Sequence, residues 1–123
     1  AIGAVSDEVT ELMRVTEESL WAGIAAARLG GRVSDISHAV EMSVRAEGDY
    51  GIVEGFTGHG IGSAMHQPPD VPNLGRAGKG PKIVPGLALA IEPMLMMCPL
   101  RRSIICGRTA CAIQMTARMF ICT

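Results

Sequence analysis

The sequence predicts an α+β fold, on three observations. Apolar residues recur every three to four positions over residues 6–28 and again over residues 34–48. The period then changes to two short aliphatic or β-branched runs, residues 50–56 and 87–91. Between those runs, residues 63–86 hold five of the seven prolines. Helices first and strands afterwards is the order of segregated α and β elements rather than of alternating βαβ units.

The first helix is expected over residues 6–28. Ser6 is a good N-cap, and Asp7 and Glu8 suit the positive end of the helix dipole. Val9, Leu12, Met13, Leu20, Ile24 and Ala27 form one apolar face, and Gly30-Gly31 is the expected stop. Ser34 and Asp35 open the second helix; Ile36, Val40 and Val44 fall four apart, and Gly48 ends it. Residues 50–56 read as a strand, residues 58–62 as extended or turning chain, and residues 63–86 as a long loop, a length usually reserved for function or disorder. Residues 87–91 read as a buried strand ended by Glu92-Pro93.

A length of 123 residues allows one domain. Apolar content of 48% supports a packed core, and with 3% aromatics that core must be aliphatic and methionine-rich. The formal net charge of −1 offers no electrostatic reason to expect nucleic acid. No apolar run approaches the roughly 18–20 residues of a membrane span. The first residues lack a basic segment and are too short for a signal sequence. There is no initiator Met, so a processed product or a fragment is expected. Cys98, Cys106, Cys111 and Cys122 all fall late and match no CxxC zinc spacing; they are read as reduced thiols of a cytoplasmic protein.

The residues that carry chemistry are few. His59 stands between Gly58 and Gly60, and His66 follows seven positions later. The glycines let the backbone approach a neighbour closely and leave the imidazole unshielded. On spacing alone His59 is either a metal ligand or a hydrogen-bonded turn histidine. His66 is either a donor to a substrate carbonyl or a solvated loop residue. Glu92 ends an apolar strand, where a carboxylate must be paired, hydrogen-bonded or metal-bound; a salt bridge to a local Arg or Lys is the plain alternative. His38, inside the second helix with no HExxH spacing, is read as structural. Residues 75–81, Gly-Arg-Ala-Gly-Lys-Gly-Pro, fail as a phosphate loop because no Ser or Thr and no helix follows Lys79.

Taken together, Gly58-His59-Gly60-Ile61-Gly62 with Met65-His66, then Val71-Pro72-Asn73-Leu74-Gly75-Arg76, then Leu89-Ala90-Ile91-Glu92-Pro93-Met94, resemble type I methionine aminopeptidase. Glu18-Ser19-Leu20 and Ile36-Ser37-His38-Ala39 extend the resemblance back through both helices, so that it covers about residues 5–95. It implies a pita-bread fold of two αβ halves, of which this chain supplies roughly one. It implies two divalent metal ions (cobalt, manganese, iron or zinc) and removal of N-terminal methionine from nascent peptides in the cytoplasm. By the resemblance, His59 and Glu92 are metal ligands, Glu92 also shuttles the proton, and His66 steadies the substrate or the intermediate. Residues 63–86 would wall the site.

The departures set further expectations. The family supplies five metal ligands, including two aspartates that precede the first helix and a last glutamate that follows Glu92; none of the three has a match in this sequence. No Asp or Glu occurs after Glu92, while Arg101, Arg102, Arg108 and Arg118 do. Residues 1–95 are therefore read as a partial catalytic domain, and residues 96–123 as a tail outside the family pattern, explained by a reading-frame shift or by divergence. The chain alone is expected not to hold both metals. Exposed half-sheet edges are expected to promote self-association. Two rivals are kept: a proline-specific peptidase of the same fold, and a non-catalytic remnant acting as an interaction protein.

Overall fold

Ser6 begins the first helix as its sequence suggests: its hydroxyl accepts from the Val9 N–H at 3.4 Å. The structure is a computed structural model; it describes residues 3–97, 115–116 and 119–122, the last two stretches as backbone strands. Helix α1 spans Asp7–Ala26 and α2 spans Val33–Glu47. Strands β1 (Gly51–Ile52), β2 (Gly58–Ile61), β3 (Gln67–Val71), β4 (Ala88–Ile91), β5 (Met94–Met96), β6 (Met115–Thr116) and β7 (Met119–Cys122) follow. They form an antiparallel sheet of order β1-β5-β6 and a second of order β3-β2-β4-β7.

The helices pack antiparallel. Gly23 makes this close: a Cβ there would stand 2.8 Å from Val40 Cγ2. The buried stripe of α1 is Leu12, Val15, Thr16, Ser19, Leu20 and Gly23, turned from the expected face, whose Val9, Met13, Ile24 and Ala27 are half-buried. Two hydroxyls can sit in this stripe because each bonds its own helix: Thr16 Oγ1 donates to Leu12 O at 2.6 Å and Ser19 Oγ to Thr16 O at 2.8 Å. Helix α1 stops at Ala26, before Arg28 and the glycines, and Arg28 Nε donates back to Ala25 O. Helix α2 starts at Val33, capped by Asp35, whose Oδ2 accepts from the Arg32 N–H at 2.7 Å.

Two expectations about strands are corrected. The run 50–56 forms a strand only over Gly51–Ile52, with one further bond from the Val53 N–H to Met94 O at 3.0 Å, because the chain turns at Gly55 with φ +87°. The stretch 63–86 is not one loop, since β3 lies within it. Pro68 and Pro69 concealed that strand; lacking an N–H, they are tolerated because β3 is a sheet edge.

Leu20, Val33 and Ile36 of the helices meet Val71, Leu89 and Ile91 of the four-stranded sheet, with Ile83 beside them. Leu12, Val15 and Val44 meet Ile52 and Leu95 of the other sheet. Each of these side chains contributes about 1.5–3 kcal/mol on burial. Because a strand alternates its side chains, Leu89 and Ile91 face the helices and Ala90 faces the other way. That second face carries the candidate site. Cys98, Cys106 and Cys111 lie outside the described residues, as do the side chains of β6 and β7, so the thiol reading and most of the 96–123 tail lie outside them too. Among the described residues, no helix is long and apolar enough to cross a membrane.

Candidate active site

His59 is placed by strand packing. A Cβ on Gly58 would run into the Ala90 carbonyl oxygen, and one on Gly60 into that of Pro68. Neither glycine has a positive φ, so both are needed for space between strands rather than for an unusual backbone. With no side chain on either neighbour, β2 lies tight between β3 and β4, and His59 stands opposite Ala90. His59 is 6% exposed.

Its two nitrogens have different partners. Nδ1 lies 3.0 Å from Gly60 O, and since a carbonyl only accepts, Nδ1 carries the proton. Nε2 then presents its lone pair, 3.8 Å from Glu92 Oε1. Such a backbone acceptor fixes the tautomer and the ring orientation, as in histidines that bind metals. Glu92 is 7% exposed. The His59 imidazole is an ionisable group beside it. His66, exposed in the turn between β2 and β3, tilts over His59 with ring centroids 4.1 Å apart and planes at 43°. The three residues singled out in the sequence thus come together.

Asn73 was missed as an individual residue. It is 3% exposed, and its Nδ2 donates to the backbone oxygen of Glu92 at 2.8 Å, tying the end of β4 to the segment after β3. Its only signal in the sequence was membership of the Pro72-Asn73-Leu74-Gly75 segment. His38 is structural as read: Nδ1 donates to Gly75 O at 3.2 Å.

Residues 75–80 fail as an anion loop for a further reason. The N–H groups of Gly75, Gly78 and Lys79 are taken by Glu41 Oε2, Asp35 Oδ1 and Ser34 Oγ at 3.0, 2.7 and 2.6 Å. Backbone hydrogen bonds to Asp35, from the Arg32 N–H first and then the Gly78 N–H, hold its carboxyl below its ordinary value.

The model of metallopeptidase family M24 matches residues 1–118. The chain belongs to this family. It is 50% identical over 95 residues to a methionine aminopeptidase of Clostridium acetobutylicum, covering 77% of this chain and 38% of that one. Methionine aminopeptidase from Thermotoga maritima superposes with a TM-score of 0.73 at 35% identity, over 77% of this chain and 38% of that one. The enzyme from Rickettsia prowazekii gives 0.76 at 29% identity, over 96% of this chain and 48% of that one. The fold is therefore part of the pita-bread architecture. The M24 chain spans about two fifths of the length of the curated relative it matches. The family match runs on to residue 118, past the last of the motif segments near residue 95.

The M24 family implies a divalent metal, and the residues present fit one only in part. His59 Nε2 and Glu92 Oε1 offer two converging donors, whereas a catalytic zinc site takes three from protein. Among the described residues no group of three His, Cys, Asp or Glu is placed to hold an ion.

Proposed function

We propose that this chain carries the His59–Glu92 part of an aminopeptidase centre that removes N-terminal methionine from nascent peptides. The observation behind this reading is the convergence of a buried, tautomer-fixed imidazole, a buried carboxylate and a second imidazole. In it, His59 and Glu92 are ligands of a divalent ion, one of a pair drawn from cobalt, manganese, iron or zinc. Glu92 also moves the proton, and His66 donates a hydrogen bond to the peptide carbonyl. The segments that carry these residues match methionine aminopeptidases over 95 residues, which favours methionine over a proline-specific substrate.

The test is release of methionine from a Met-Ala-Ser peptide with added cobalt or manganese, together with metal analysis. The chain alone is expected to release none and to hold fewer than two ions. Addition of a polypeptide bearing the two aspartates implied by the family should restore release, and H59A should abolish it again. Two tightly held ions with methionine release by the chain alone would overturn the incompleteness. No release in any combination would overturn the aminopeptidase reading.

The shortage of donors favours one second reading, an interaction protein that keeps the shell of the fold. Under it no combination of chains releases methionine. The expected self-association through an exposed half-sheet is tested by sedimentation: a monomer across the concentration range would count against it.

A further inference from the structure

His66 lies in the turn between β2 and β3, and the register of those strands is what brings it back to His59. Asp70 pairs with His59, but the next pair is Gln67 with Gly60: β2 advances by one residue there (59 to 60) while β3 advances by three (70 to 67). Pro68 and Pro69 are the two extra residues, and an irregularity of this kind re-aims the side chains beyond it. In an unbroken register His66 would stand opposite Ser63, four residues along from His59, or about 13 Å at the usual rise. Past the shift, the next pair in step with Gly60 and Gln67 is Ile61 and His66, two residues from His59, or about 7 Å. Positions 59 and 61 share a face, and residues directly opposite share it too. The two imidazoles accordingly meet, with ring centroids 4.1 Å apart.

Residues 62–66 are exposed, so packing does little to hold this turn. What holds it is a small set of contacts centred on Gln67, which is half-buried. Its backbone pairs with Gly60, and its Oε1 accepts from the Ala64 N–H at 3.4 Å. The Gly62 N–H donates to Ala64 O at 3.1 Å and closes the turn. Gly62 also leaves the room: a Cβ there would stand 2.5 Å from Gln67 Nε2 and 2.9 Å from Oε1. Resting on the reading of His66 as the donor to the peptide carbonyl, we infer that Gln67 is the positioning residue of His66. Its amide, seated against Gly62, fixes the turn, so that the shifted register becomes a fixed placement of one imidazole against the other. Without that acceptor, His66 is an exposed turn residue with no set relation to His59.

The test uses the full 123-residue chain with labelled histidine and reads the nuclear Overhauser cross-peak between the His59 and His66 rings. The cross-peak is expected in wild type and is expected to be lost in Q67M, which keeps the length of the side chain without a strong acceptor. Q67E, whose carboxylate accepts from the same N–H, should retain it. G62A, which displaces the amide while leaving Gln67 in place, should lose it. Far-UV circular dichroism should stay that of wild type; should Q67M misfold, G62A carries the test. A folded Q67M or G62A with the cross-peak at full intensity overturns the inference, as does a wild type without one or its loss in a folded Q67E. Methionine release by the mixture with the aspartate-bearing polypeptide separates the inference from the reading beneath it. There Q67M and H66A should each lower kcat by roughly tenfold to a hundredfold, as misplacement or loss of a reacting-site group does, and Q67E should keep it. Unchanged release in both, with the cross-peaks as expected, would remove the carbonyl-donor role of His66 and leave its placement by Gln67 standing.

Discussion

Two clusters of histidine and carboxylate lie in this molecule, and they differ in what their polar atoms touch. On α2, Ser34, Asp35, His38 and Glu41 are spent on the backbone of residues 75–79. In the sheet, His59 spends one nitrogen on Gly60 O and turns the other toward Glu92 and His66. The residue types are nearly the same. In the first cluster the backbone claims each of these side chains, and the result is a clamp. In the second, a buried imidazole turns its second nitrogen to a buried carboxylate, and the result is a close pair of titratable groups. Composition does not separate a structural cluster from a chemical one; the hydrogen-bond ledger does.

The comparison can be broken at once from below. Ile36 is fully buried against Val71, Leu89 and Ile91, under both regions. Ile36→Ala should cost about 2–5 kcal/mol, by lost burial and the cavity left behind, and should loosen clamp and site together. Urea denaturation followed by circular dichroism measures it. Loss of one region with the other intact, by hydrogen exchange, would show that they do not share this floor.

Gly58→Ala strikes the site alone. The added methyl meets the Ala90 carbonyl, so β2 must shift away from β4, at about 1–3 kcal/mol. Hydrogen exchange should accelerate in β2 and β4 while the Gly78 and Lys79 amides stay protected. Equal loss of protection in both places would refute the separation.

Asp35→Asn strikes the clamp alone, and its signature is a pH dependence. The Asp35 carboxyl titrates below its ordinary value of 3.8, because the Arg32 and Gly78 N–H groups bond the ionised form. A folded value below the unfolded one means that the stabilisation is fully present above 3.8 and is lost as pH falls through the folded value. The wild type should therefore be the more stable protein at neutral pH, and the difference should shrink in acid. Thermal melting of both proteins from pH 7 to pH 2 checks this; a difference that does not change with pH would remove the carboxylate from the account.

The smallest effect is a gain. Ser37 Oγ is buried with no hydrogen-bond partner among the described residues. Ser37→Ala removes an unpaired hydroxyl and should stabilise the chain by about 1 kcal/mol. A destabilised variant by urea denaturation would mean that the hydroxyl has a partner after all, and that this face of α2 is as fully bonded as the clamp beside it.

Much of the fold was legible because its signals are local. Ser6, Asp7 and Glu8 marked the start of α1, and the four-residue spacing of Ile36, Val40 and Val44 marked α2. Strand β4 was legible as an apolar run ended by Glu92-Pro93. What failed was non-local. Pro68-Pro69 reads as loop until the edge position of β3 is known. Thr16 and Ser19 lie off the apolar face that spacing marks, and their burial rests on hydroxyls that bond their own helix. Asn73 has no local signal for its bond to a carbonyl nineteen residues away.

By itself, then, the sequence determined the order of helices and strands, the candidate residues His59, His66 and Glu92, and the family to which their segments belong. Only the tertiary structure decided which polar atoms are consumed: the bonds joining α2 to residues 75–79 span 34 to 45 positions. Only sheet register set His59 opposite Ala90. Periodicity is written in neighbours along the chain, whereas pairing across strands depends on how distant segments align, and a shift of one residue would turn every side chain to the other face.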